Sequence, residues 1–358
     1  MRGDCEAIPG HVPILPMEKS AHSAVTYADV LEALPRVHAV LIPTLLREWP
    51  GLSELLGCEF HLKHENHQPV GAFKVRGGVN LVATLSPGER AAGLLGVSTG
   101  NHGQSLAFAA RHFGVRCTIV VPIGNNPEKN RAIRQLGAEL IEHGCDFDEA
   151  REHVAVLQRE RGSRYVHSAN EPKLIAGVGT AAWEIFEKLP EPDVLLVPIG
   201  LGSGVSGAGI VTKHRRPRTE VIGVQARNAA AVARSWQTGG WVTEVSAKTW
   251  AEGLATRVPA EMTLGIMREV MDDVIMVSEE EMRRAAALLL EQTHNLAEGA
   301  GAATLAAALQ QRERFAGRRV VAILSGGNLD LTQLPGILKY IGCDAGGSGW
   351  LESRCAAD

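Results

Sequence analysis

Lys74 lies in the stretch KHENHQPVGAFKVRGG, between Phe73 and Val75 and three residues after Gly71, in a glycine-flanked turn that enters a helix beginning near Val75. Most lysines are solvated surface groups. An amine in a partly apolar turn beside the cationic Arg76 has a lowered pKa, which is what a lysine needs to form a Schiff base. Three further stretches combine glycine with hydroxyl or amide side chains: STGNHG at 98–103, GLGSGVSG at 200–207 and SGGN at 325–328. Each follows an apolar run and opens a helical one, so on one sheet edge they would present free backbone N–H groups and positive dipole ends to an anion. GLGSGVSG follows the longest apolar run, and its glycines let the backbone close around a phosphate.

Other chemistries fit less well. Gly202, Gly204 and Gly207 satisfy G-x-G-x-x-G, but a dinucleotide site also wants an acid about 20 residues further on. The following strand ends instead in Gly223, Val224 and Gln225. The triphosphate pattern G-x-x-x-x-G-K-[ST] is absent. His61, His64 and His67 run off a strand at three-residue spacing, which puts them on different faces and argues against zinc. The six cysteines, Cys5, Cys58, Cys117, Cys145, Cys343 and Cys355, include no C-x-x-C pair and read as reduced thiols.

The elements that must position these residues follow from the apolar pattern. Short β-branched or apolar runs at 59–63, 94–98, 117–121, 165–167, 194–199, 221–224, 274–277 and 320–324 predict strands. Segments of helical spacing lie between them at 104–113, 128–136, 147–162, 180–189, 279–293 and 297–315. Strand alternating with helix gives an α/β fold with doubly wound parallel sheets. With 358 residues, 45% of them apolar, the chain has enough core for two lobes. The expected division is a large domain from 1–90 and 169–345, a small inserted domain at 91–168, and a weakly ordered tail at 346–358, with the site in the cleft. The first two dozen residues also read as weakly ordered. A net charge of −4, with signs interspersed, gives no footprint for nucleic acid or an anionic membrane. No segment approaches the roughly 20 apolar residues that span a bilayer, and the N-terminus lacks a signal-peptide pattern, so a cytoplasmic protein with a small-molecule substrate is expected.

In order, KHENHQPVGAFKVRG, STGNH, VPIGLGSG and SGGN resemble the motifs of the fold type II pyridoxal-phosphate enzymes, in their threonine dehydratase and serine racemase branch. The resemblance spans about 43–334 and implies a tryptophan synthase β-like fold, pyridoxal 5′-phosphate as cofactor and a homodimer. By that resemblance Lys74 carries the cofactor and serves as base at Cα, and Phe73 packs beside the ring. Asn101 bonds the ring's 3′ oxygen, and Gly200, Leu201, Gly202, Ser203 and Gly204 hold the phosphate. Ser325 faces the pyridine nitrogen and Glu298 lies near the ring, while Ser98 and His102 clamp the substrate carboxylate. Thr99 stands where racemases carry a serine acting on the second face. A serine rather than an aspartate at the pyridine nitrogen favours β-elimination. The implied activity is removal of water and then ammonia from a 3-hydroxy amino acid of the L-threonine or L-serine type.

Several positions depart from the family pattern. Ala72 replaces the usual serine, which leaves room for a bulkier β-substituent. Leu201 and Ser203 replace loop glycines. Gln225 and Ala231 stand where the branch often carries metal-binding carboxylates, so no metal is expected, and the segment after Leu334 is too short for a regulatory domain. The alternatives are a β-replacement enzyme, an amino-acid racemase, a non-catalytic binding protein of the same fold and, for want of the ribose acid, a weaker nicotinamide-dependent dehydrogenase.

Overall fold

The computed structural model describes residues 24–342. The weakly ordered segments expected at the N-terminus and at 346–358 lie outside the described residues, apart from Ala24.

Among the described residues ten strands form two sheets: β1 Leu46–Glu48, β2 Glu59–His64, β3 Leu94–Val97, β4 Cys117–Val121, β5 Glu139–Glu142, β6 Arg164–Tyr165, β7 Val194–Pro198, β8 Glu220–Ala226, β9 Asp273–Val277 and β10 Arg319–Leu324. The six-stranded sheet has the order β1-β2-β10-β7-β8-β9 and the four-stranded one β5-β4-β3-β6. Every pairing is parallel except β1 with β2. Helices cover both faces, so inner strands such as β4 and β7 are buried along their whole length, which is why they read as unbroken apolar runs.

All eight predicted strands are present. The two that the sequence does not show, β1 and β5, are short, largely exposed edge strands whose LRE and ELIE carry no apolar run. The helix expected at 180–189 starts earlier and spans Pro172–Lys188. Its first half carries Gly177 and Gly179, which weaken helical propensity. A Cβ on Gly177 would stand 2.6 Å from the Arg76 carbonyl oxygen. The expected 297–315 helix instead begins at Gly299, after Glu298 as N-cap, and breaks between Gly299–Gln310 and Arg312–Phe315.

The four-stranded sheet is drawn wholly from the segment 94–165. Val75, Val79 and Val82 of helix Lys74–Ala83 share one buried cluster with Leu94 and Ile119 of that sheet. The chain before residue 91 therefore contributes to both cores. Among the described residues no helix is long and apolar enough to cross a membrane.

Candidate functional site

Two of the three glycine turns, after β7 and β10, share an edge of the larger sheet. The third follows β3 in the smaller sheet and so comes from the other side of the cleft, contrary to a single shared edge. Asn101 joins them: its Nδ2 donates to Glu298 Oε1 at 2.8 Å and its Oδ1 accepts from Asn328 Nδ2 at 2.8 Å. Asn328 also donates to the Val70 carbonyl. It belongs to SGGN but carries no sequence signal of its own for this bridging position.

Lys74 is the first residue of helix Lys74–Ala83. The preceding residues are stitched to the end of β10 by an Ala72–Gly326 bridge, by Phe73 N donating to Ser325 O at 3.0 Å and by Gly327 N donating to Gly71 O at 2.9 Å. The Nζ donates to Ser203 Oγ at 2.8 Å and to the Ser168 carbonyl at 3.2 Å. Burial pushes this amine down to about 8. Arg76, expected to help, plays no part in that shift. It stands two positions along the helix, hence on another face, and its charge is matched by two carboxylates.

That match is a network whose centre, Arg76 with Glu65, Glu184 and Lys63, is buried. Arg76 makes paired bonds to Glu65 at 2.7 and 2.8 Å and to Glu184 at 2.6 and 2.8 Å. Lys63 Nζ adds a bond to Glu184 at 2.5 Å, Thr44 Oγ1 donates to Glu65 at 2.6 Å, and His38 contacts Glu184 at 2.9 Å. Lys63, Glu65 and Arg76 all stand in the motif that holds Lys74, but Glu184 has no recognisable pattern around it.

The turn after β7 closes through Gly202, whose φ of 98° is in the left-handed region that favours glycine. Helix Ser203–Arg215 follows directly. Among the described residues the N–H groups of Gly200, Leu201, Gly202, Ser203 and Gly204 find no acceptor, so five successive donors converge on one turn at a helix N-terminus. Phe73 packs against this turn, and a Cβ on Gly204 would lie 3.1 Å from its ring. Phe73, Gly204, Val197 and Ser325 line a small cavity, and Ser325 itself is buried. A buried amine, a donor-rich turn for a phosphate dianion and an aromatic ring beside them fit pyridoxal phosphate. Leu201 and Ser203 leave the backbone donors in place.

In the STGNHG loop Ser98 and His102 both touch backbone groups. The Ser98 hydroxyl accepts from Gly100 N at 3.1 Å and Gly103 N at 2.9 Å. His102 is buried, with Nε2 3.3 Å from the Val166 carbonyl, and burial together with the nearby Lys74 charge pulls it down to about 3. It is a neutral imidazole, and with that proton donated it holds the loop to the chain after β6. Ser98 thus braces the loop's own backbone, and His102 ties the loop to a neighbouring segment. The N–H groups of Thr99, Asn101 and His102 remain without acceptors among the described residues, at the start of helix Asn101–His112. They are backbone anion donors of the loop, beside the Ser98 hydroxyl, whose own hydrogen is not committed by the two bonds it accepts.

Glu298 is half-buried beside Asn101, and desolvation pushes it up to about 7, opposed by Lys129. A Cβ on Gly326 would lie 2.3 Å from Glu298 Oε1, so any side chain there would displace that carboxylate from Asn101. Lys129 pairs with Glu252 beside this carboxyl. Gln225 is tied to Thr256 and to Ala233 N. His64 and His67 stack at 4.9 Å rather than pointing apart, while His61 pairs with Glu59. No group of three or more potential metal ligands occurs among the described residues.

A family model described as "Pyridoxal-phosphate dependent enzyme" matches residues 38–326. L-threonine ammonia-lyase of Thermotoga maritima is 38% identical over 315 residues, covering 88% of this chain and 78% of that protein. The catabolic L-threonine dehydratase of Escherichia coli K12 is 33% identical over 319 residues, covering 88% and 97%. Among solved structures, threonine deaminase isoform 2 of Solanum lycopersicum superposes with a TM-score of 0.85 at 29% identity, covering 94% of each chain. Serine racemase of Dictyostelium discoideum gives 0.80 at 32% identity, covering 86% of this chain and 99% of that one.

Proposed function

This chain belongs to the pyridoxal-phosphate dependent enzyme family, and on that premise we propose that it is a hydroxy amino acid dehydratase that releases a 2-keto acid and ammonia by β-elimination. The observation that carries the proposal is the half-buried Lys74 amine, which among the described residues has no carboxylate partner and bonds to Ser203 in the turn 200–204, whose five N–H groups find no acceptor there. Bound there, the cofactor supplies an electron sink for the charge left at Cα.

The chain's own residues do the rest. Lys74, at about 8, has a neutral fraction near physiological pH and takes the Cα proton. The backbone donors of Thr99, Asn101 and His102 orient the substrate carboxylate. Asn101, held by Glu298 and Asn328, is assigned to the ring's 3′ oxygen. Ser325 is assigned to the pyridine nitrogen, where a hydroxyl provides no fixed negative charge to keep it protonated. The hydroxyl at Cβ leaves as water, and the released enamine takes up water to give the keto acid and ammonia. The same proposal includes a division into units at 1–90 with 169–345 and at 91–168, drawn from the strand pattern, a cytoplasmic location, and a homodimer, the last resting on the family resemblance.

With pyridoxal phosphate and L-threonine, the purified protein should release keto acid and ammonia in equal amounts. Loss of optical activity without ammonia would instead favour the racemase reading. Side-chain preference supplies a second test. Ala72 is buried two residues before Lys74, and its methyl leaves room that a serine would fill with a hydroxyl. A 3-hydroxy amino acid larger than threonine is expected to exceed L-serine in kcat/KM, with Ala72→Ser reversing the order. The size of the effect is about 1–3 kcal/mol, or some tenfold to a hundredfold. A ranking that puts L-serine first in both proteins rules this out.

A further inference from the structure

Resting on the assignment of Lys74 above, we propose that Ser203 is a second catalytic side chain, whose hydroxyl holds the Lys74 nitrogen whenever that nitrogen is a free amine. Ser203 is 2% exposed and its Oγ stands 2.8 Å from Lys74 Nζ. A serine at a helix start ordinarily turns its oxygen onto a backbone N–H of the first turn. Among the described residues this hydroxyl has no backbone partner, and Gly202 occupies the N-cap.

The two partners of Nζ differ in kind. The Ser168 carbonyl can only accept, so it holds an ammonium and gives nothing to the lone pair of a neutral amine. A hydroxyl does both: it accepts from the ammonium, then rotates and donates to the amine. Ser203 therefore keeps the nitrogen in one place across its protonation change. The other titratable groups around Lys74 are His102, on helix Asn101–His112, and His167, after β6. Burial lowers both, so neither changes charge near the lysine's own titration. Glu65 and Arg76 neutralise each other.

Bonds to a charged group are roughly twice as strong as neutral ones, so losing this hydroxyl removes more from the ammonium than from the amine. The lysine pKa then falls. The experiment follows, as a function of pH, the rate at which cofactor-free protein acquires visible absorbance on addition of pyridoxal 5′-phosphate. That rate reports the neutral amine. The wild-type midpoint should lie near 8. In Ser203→Ala and Ser203→Gly it should fall by about one pH unit, and kcat should drop about tenfold. Ser203→Thr should restore both, with melting temperatures unchanged throughout. Unmoved midpoints in the alanine and glycine variants, with weaker cofactor binding alone, would overturn the proposal and leave Ser203 as a phosphate ligand. A wild type that acquires no visible band would overturn the assignment of Lys74 itself, and this role with it.

Discussion

Lys74→Ala is expected to abolish both the visible absorbance of bound cofactor and keto-acid release. The variant loses the attachment point and the Cα base together, and general-base catalysis alone contributes about 10²- to 10⁴-fold. The loss of turnover should reach about a thousandfold or more. Misfolding is not expected to be the cause. The amine is desolvated, with no countercharge bonded to it among the described residues, and sits well below its ordinary value of 10.5, at about 8. A lysine whose pKa is lower folded than unfolded destabilises the fold wherever the buried ammonium persists. That penalty is full below about 8 and fades as pH rises toward 10.5. The cofactor-free variant should therefore melt at or above the cofactor-free wild type at pH 7, with the difference vanishing in strong alkali. Keto acid released at a rate comparable with wild type would remove Lys74 from the chemistry.

Glu184→Ala should produce the largest loss of stability. Glu184 accepts from Arg76, from Lys63 and from Thr44 N, and it contacts His38. Its removal leaves Lys63 and Arg76, both buried, with Glu65 as the one remaining carboxylate. Removing one member of a buried pair costs about 3–5 kcal/mol, because an uncompensated charge stays behind. The melting temperature should fall by roughly 10 °C. The same carboxylate predicts the acid limb of stability. Burial alone would raise Glu184, but Arg76 and Lys63 hold it at about 2. A depressed carboxylate stabilises the fold above its unfolded value near 4.5, and that contribution disappears as pH drops from there toward 2. The variant's melting temperature should depend less on pH across that window. A melting curve within about 2 °C of wild type at pH 7 would show that the network carries little of the stability. Because Arg76 lies in the helix that begins with Lys74, cofactor affinity should weaken in the same variant.

What the sequence determined on its own was local. The eight apolar strand runs, the turns STGNHG, GLGSGVSG and SGGN, and the glycine-flanked Lys74 are each set by a few neighbouring residues, because β-branched runs, positive φ and free helix N-termini are short-range properties. The order of those motifs pointed to the family. The tertiary structure decided which groups meet. Asn101 reaches Glu298 across 197 residues and Asn328 across 227, Arg76 reaches Glu184 across 108, and Lys74 finds Ser203 across 129. No pattern near Glu184 announces its partner, since a glutamate in an amphipathic helix has the same local signature whether it faces water or a buried arginine. Ser98 and His102 show the limit from the other side: their motif marked the loop, but folding committed one hydroxyl and one imidazole to backbone groups and left the N–H donors free. The lysine's lowered pKa was legible as a direction, while its cause was not. Burial depends on what the whole chain packs over the amine, whereas Arg76, two residues away, was neutralised by carboxylates that only the fold could bring to it.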